Sequence, residues 1–151
     1  MLTLRRLAVI PTLRCTLRCR LCCNSVPLYD RPPLLPAEEV AADIDAAFAL
    51  ADRIEWFQFV GGEIFLYRDL ADLIARAAAH RSQFDRLILM TNGTLLPPPG
   101  VCSELASLAP DCEVQISDYG PLSPRVRDLE ELFARHGIPC LVEVEVGKDP
   151  V

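Results

Sequence analysis

The chain has 151 residues, 51% of them hydrophobic, with a formal net charge of -6. That length suits a single domain spanning residues 1–151 with its own core. The acidic balance argues against a general binder of nucleic acid or anionic membrane, which needs a basic surface to neutralise phosphates. The first segment carries Arg5 and Arg6 followed by only four apolar residues before Pro11, too few for a secretion signal or a membrane span. Seven cysteines, an odd number with four inside nine residues, fit a reducing compartment better than a disulfide framework, so the chain is read as cytoplasmic.

In chain order, residues 5–12 form the first predicted strand, and the cysteine-rich stretch "PTLRCTLRCRLCCNS" follows at once. Residues 36–51 predict an amphipathic helix with Val40, Ile44, Ala47, Phe48 and Ala51 on one stripe and Pro36 in its first turn. A second strand is expected at 54–60, then a helix from 69 to 79 with Asp69 as N-cap, and a third strand at 86–91. Residues 101–108 predict a short helix and 112–117 a fourth strand. The next helix is expected to start with Ser123 as cap and Pro124 at its first position and to stop at Gly137, before a fifth strand at 140–146. Alternating strands and helices imply a parallel sheet with right-handed crossovers, either doubly wound or part of a β/α barrel. A closed eight-stranded barrel takes about 250 residues, so at most an incomplete one fits.

Cys15, Cys19 and Cys22 read C-x3-C-x2-C directly after a strand, with Cys23 adjacent. Thiolates are soft ligands suited to zinc, copper(I) or iron–sulfur clusters. Structural zinc normally closes with four ligands, often from paired C-x2-C elements, and no second pair follows. Three ligands on one loop instead fit a four-iron cluster with one iron left open for chemistry. Zinc and unliganded thiols remain as alternatives, and Cys23 is read as a neighbouring thiol. Cys102, Cys112 and Cys140 sit in apolar patterns and read as small core residues, as do Trp56, Phe57 and Phe59. His80 and His136 fall near helix ends, where the dipole accounts for them.

"CTLRCRLC" resembles the signature of the radical S-adenosylmethionine (radical SAM) enzymes. "VGGEIFLYRDL" is similar to that family's Gly-Gly-Glu motif after its second strand, "LILMTNGTLL" resembles the end of its third strand, and "VQISDYG" its fourth, ribose-contacting strand. The resemblance implies an incomplete parallel β/α barrel. It implies a 4Fe-4S cluster on Cys15, Cys19 and Cys22 whose open iron chelates the methionine amino and carboxylate groups of S-adenosylmethionine. Gly61, Gly62 and Glu63 would receive the methionyl ammonium, while Thr91, Asn92, Ser117 and Asp118 would lie near the methionine and ribose portions. Leu21 stands where the family often has an aromatic against adenine, implying an aliphatic contact, and Ile64 replaces the usual proline after the Gly-Gly-Glu. The implied chemistry is reductive cleavage to a 5′-deoxyadenosyl radical that takes hydrogen from a substrate. The usual core has six strand–helix units and this chain supplies five strands, so it reads as a fragment or minimal form. Catalytic residues beyond the cofactor set are not specified by these motifs.

Such chemistry needs a one-electron reductant, flavodoxin- or ferredoxin-like. Arg5, Arg6, Arg14, Arg18, Arg20 and Arg31 stand out around the cysteine loop of an acidic chain, either as solvated charges paired with carboxylates or as a landing site for an acidic donor. Strand alternation places Glu113, Gln115 and Ser117 on one face of the fourth strand and Glu143 with Glu145 on one face of the fifth, opposite Val114, Ile116, Val142, Val144 and Val146. If the polar faces line the barrel interior, a polar or cationic substrate is expected; otherwise the glutamates guard an exposed edge. The functional alternatives are a small iron–sulfur electron carrier and a zinc-bound interaction module.

Overall fold

The computed structural model describes residues 1–145. The expectation for Val146 lies outside the described residues. Five strands, β1 (Thr3–Val9), β2 (Arg53–Phe59), β3 (Phe84–Thr91), β4 (Cys112–Asp118) and β5 (Cys140–Val144), form one parallel sheet in sequential order. Helices α1 (Ala37–Leu50), α2 (Leu70–Ala78), α3 (Val101–Leu108) and α4 (Val126–Arg135) occupy the four crossovers. The strand order decides between the two architectures left open by periodicity. A doubly wound sheet reverses direction at a switch point, whereas sequential right-handed crossovers put every helix on the same side and make an open β/α barrel.

Several boundaries differ from expectation for local reasons. β1 starts at Thr3 because Leu2 is already tied to the second strand, its carbonyl accepting from Asp52 and Arg53. It ends at Val9 because Pro11, two residues on, has no N–H to give a ladder. Pro36 caps α1 in an extended conformation instead of occupying its first turn, and Glu38 and Glu39 place negative charge at the N-terminal end of the dipole. Asp69 occupies the N-cap position of α2 without a side-chain cap bond. Ser123 is not the cap of α4, which begins only at Val126. Its hydroxyl is spent elsewhere, donating to the Asn92 carbonyl at 2.6 Å and accepting from the Tyr119 N–H at 3.0 Å. Gly137 ends α4 as expected, in the left-handed conformation that glycine adopts without strain.

The core lies between sheet and helices. Phe57, Phe59, Leu87, Leu89, Val114 and Ile116 face Val40, Ile44 and Phe48 of α1 and the buried sides of the other helices. The Phe48 and Phe57 rings stack at 5.0 Å. Fully burying each such side chain contributes about 1.5–3 kcal/mol. Cys112 is fully buried, its thiol donating to the Leu105 carbonyl, and burial pushes both it and Cys140 up to about 11, so these sulfurs are inert packing. Trp56 departs from its core expectation. It points to the opposite, open face, 37% exposed, with the Arg6 guanidinium 4.3 Å over its ring.

The register Ser117↔Glu143 and Gln115↔Leu141 puts Glu113, Gln115, Ser117 and Glu143 together on that open face, while Val114, Ile116 and Val142 pack toward the helices. The polar side therefore faces the barrel interior. Ser117 Oγ donates to Oε1 of Glu145, one residue past the end of β5, at 3.2 Å.

Candidate functional site

Residues 13–33 form a loop closed at its neck by Leu13 N–H to the Pro33 carbonyl and Leu35 N–H to the Pro11 carbonyl, both 2.9 Å. The loop folds down onto the C-terminal end of β2. Gly62 N–H donates to the Thr12 carbonyl at 3.0 Å, and Glu63 N–H to the Arg14 carbonyl at 2.8 Å. A Cβ on Gly61 would stand 2.3 Å from the Thr12 oxygen and one on Gly62 2.1 Å from the Arg14 oxygen. Both positions therefore need glycine because the cysteine loop's own backbone comes this close.

This docking builds a cavity of about 220 Å³ whose walls include Cys15, Cys19 and Cys22, the Gly61–Gly62 turn, Asn92 and Ser117. Thr91 also reaches the wall, and Leu21 lines it while remaining 69% exposed. Cys23 lines the same cavity and is exposed. Residues from the β1 loop and the ends of β2, β3 and β4 thus converge on one space.

Two expected site residues do not line that wall. Asp118 turns away, its carboxylate accepting from Gly120 N–H at 2.8 Å. Glu63 is fully buried, and both its oxygens are engaged inside the protein. Oε1 accepts from Thr91 Oγ1 at 2.7 Å and Phe65 N–H at 3.0 Å, and Oε2 from Asn92 N–H at 2.8 Å. Burial raises its pKa and these three donors oppose the rise. The carboxylate cross-links the ends of β2 and β3 directly behind the cavity.

The cavity wall also contains residues that sequence reasoning passed over. Asn24 donates its amide to the Gly61 carbonyl, pinning the far arm of the cysteine loop to the glycine turn. Tyr119 lines the cavity against Cys19, and burial, followed by the nearby Cys19 charge, raises its pKa well above the usual phenol range. Its position one residue beyond β4 was the available signal, usable only with the strand end known.

Cys15 is held up chiefly by burial and also by the charges of Glu63, Cys19 and Cys22, while the Leu17 N–H on its sulfur pulls the other way. The three thiols thus share one electrostatic neighbourhood. Among the described residues no three His, Cys, Asp or Glu side chains converge where one metal ion would sit. Three thiols spaced around one cavity are a donor set that fits a four-iron cluster, in which each cysteine binds a different iron.

A family model described as the radical SAM superfamily matches residues 9–117. The chain belongs to the radical SAM superfamily. No curated protein matches it by sequence. Among solved structures, anSMEcpe with bound AdoMet and Kp18Cys peptide superposes with a TM-score of 0.68 at 20% identity, covering 93% of this chain and 42% of that one. SuiB of Streptococcus suis bound to precursor peptide SuiA superposes with a TM-score of 0.71 at 18% identity, covering 93% and 32%. At such identities the likeness establishes the fold, and the chain spans well under half the length of either structure. The superfamily match begins at the end of β1 and stops at Ser117, so it contains the cysteine loop, the glycine turn and Asn92.

Proposed function

We propose that this chain is the cofactor-binding part of a radical SAM enzyme that carries a 4Fe-4S cluster on Cys15, Cys19 and Cys22 and binds S-adenosylmethionine beside it. The observation that carries this reading is the single cavity shared by the three cysteines, the Gly61–Gly62 turn and Ser117, which come from three separate strand ends. When bound, the cluster supplies one electron to the sulfonium, and cleavage yields methionine and a 5′-deoxyadenosyl radical for hydrogen abstraction. The protein's part is to bind, orient and exclude water. Gly61 and Gly62 present backbone to the methionine end. Glu63 acts from behind the turn, contributing charge and rigidity rather than an open acceptor, since its oxygens are already occupied. Ser117 and Thr91 flank the ribose and methionine portions, and Leu21 offers adenine an aliphatic contact at the rim.

The reductant is assigned to the outer side of the cysteine loop. Arg14, Arg18, Arg20 and Arg31 are exposed there, and none joins an ion pair among the described residues. Exposed Leu21, Leu28 and Tyr29 lie on the same loop. This combination supports an acidic flavodoxin- or ferredoxin-like donor. Arg5 and Arg6 belong to β1 itself, with Arg6 stacked on Trp56, and are not part of that surface. The substrate is placed over the open face, where Glu113, Gln115, Glu143 and Glu145 favour a polar or cationic group. That two solved relatives hold peptides supports a peptide as its bearer. A cytoplasmic setting suits an oxygen-sensitive cluster; no helix among the described residues is long and apolar enough to cross a membrane.

The test is anaerobic reconstitution with iron and sulfide, followed by S-adenosylmethionine and dithionite. The expected products are 5′-deoxyadenosine and methionine in equal amounts. A four-iron cluster without these products would favour an electron carrier, and zinc in place of iron would favour an interaction module.

A further inference from the structure

Asn92 is one of only two asparagines in the chain, and every polar atom it has is committed within the protein. It is 8% exposed. Its backbone N–H goes to Glu63 Oε2 and its carbonyl accepts from Ser123 Oγ. In the side chain, Oδ1 accepts from Thr94 N–H at 3.1 Å and Thr94 Oγ1 at 2.7 Å. The Thr94 backbone N–H can only donate, so the amide oxygen must face it and the NH2 group must face the other way. That orientation aims Nδ2 at Cys15 Sγ, 3.5 Å away, and at Thr16 Oγ1, 3.0 Å away, giving one acceptor for each of its two protons.

Cys15 Sγ also accepts from Leu17 N–H at 3.4 Å, so two N–H groups point at this one sulfur. Among the described residues, no such bond reaches the Cys22 sulfur. The second asparagine, Asn24, lines the same cavity but gives its amide to the Gly61 carbonyl, not to sulfur.

We infer that Asn92 is a positioning and tuning residue for Cys15, its fixed amide donating to the sulfur that the proposed function makes a cluster ligand. N–H···S bonds draw charge from a ligating thiolate and favour the more negative, reduced state of a cluster, raising its reduction potential. Glu63 and Ser123 serve this arrangement by clamping the Asn92 backbone, so the Gly-Gly-Glu turn, the end of β3 and the β4–α4 connection all bear on one sulfur. The inference rests on the cluster reading of Cys15.

The test is a redox titration of the reconstituted chain followed by electron paramagnetic resonance. Asn92→Ala removes the donor and Asn92→Asp replaces it with a negative acceptor, so both potentials should fall below that of the unaltered chain, Asn92→Asp further. Glu38→Gln, at the exposed start of α1 and away from the cavity, should leave the potential where it was. An unchanged potential in Asn92→Asp overturns the inference. Because either Asn92 variant can fail to hold a cluster, the Asn24→Ala chain labelled at the asparagine amide nitrogen provides a second reading, with Asn92 then the sole labelled side chain. A nitrogen hyperfine coupling on the reduced cluster is expected, and its absence overturns the inference. If the unaltered chain takes up no cluster at all, the functional reading falls and this inference with it. If the cluster forms and cleaves S-adenosylmethionine while either readout is negative, the inference alone falls.

Discussion

The two ends of the same strands are held by different physics. Along their length, β2, β3 and β4 press Phe57, Leu87 and Val114 against the helices, and the binding is nondirectional burial of apolar area. At their C-terminal ends the contacts change to short polar bonds: Glu63 to Thr91 and Asn92, Gly62 to Thr12, Ser123 to Asn92, Asn24 to Gly61. Burial tolerates small shifts, whereas a hydrogen-bonded frame fixes angles. The difference explains how a 151-residue chain can hold a long cysteine loop in place without building a second core under it.

The widest separation between the regions is expected from the cysteines. Cys15→Ala, Cys19→Ala or Cys22→Ala should reduce bound iron from about three to four per reconstituted chain to background. The apoprotein's thermal midpoint should stay near that of the unaltered chain. Cys23→Ala should keep its iron; loss of iron there with retention in Cys22→Ala would move the ligand assignment by one residue. Phe57→Ala should do the reverse, costing about 3–5 kcal/mol in urea unfolding through the cavity it leaves. A cost under about 1 kcal/mol would mean that the sheet–helix layer is not the main core.

Glu63→Gln tests the frame itself. The amide would turn an NH2 group toward either the Asn92 N–H or the pair formed by Thr91 and Phe65, leaving a buried donor unmatched at about 1–3 kcal/mol. Stability should fall by that amount, and calorimetry should show weaker binding of S-adenosylmethionine. Stability equal to the unaltered chain would remove Glu63 from the frame. On the open face, Glu143→Gln should change stability by no more than about 0.5 kcal/mol, because its side chain is exposed.

The smallest effect is expected far from both regions, where α1 meets α2. The Arg76 guanidinium, with His80 beside it, holds the Asp45 carboxyl down to about 2. A carboxylate depressed in the folded state stabilises at pH above its unfolded value and loses that contribution as pH falls through the folded one. The stability difference between Asp45→Asn and the unaltered chain should be present at pH 7 and fade between about pH 4 and pH 2. A difference independent of pH would mean that the Asp45 contact is packing rather than charge.

Much of this was legible in the chain because the signals were local. Alternating strand and helix patterns, the 101–108 helix, the Gly137 stop and the C-x3-C-x2-C spacing each depend on residues within a few positions of one another. Strand alternation likewise assigned Glu113, Gln115 and Ser117 to one face, since a period of two needs no knowledge of partners. What local pattern could not supply was who accepts from whom across the fold. Ser123 carries every mark of a helix cap, yet its hydroxyl goes to Asn92, 31 positions away. Glu63 reads as an open carboxylate for a ligand, and tertiary structure surrounds it with three donors from two strand ends. Gly61 and Gly62 read as room for a cofactor, but the first backbone to use that room is the cysteine loop. Trp56 reads as core until the register puts Arg6 beside it on the open face. The sequence alone determined the periodicities and the ligand types, because those are properties of neighbouring residues. Only the tertiary structure decided the hydrogen-bond partners, because a donor is satisfied by whatever acceptor the sheet brings within about 3 Å, however far away it lies in the chain.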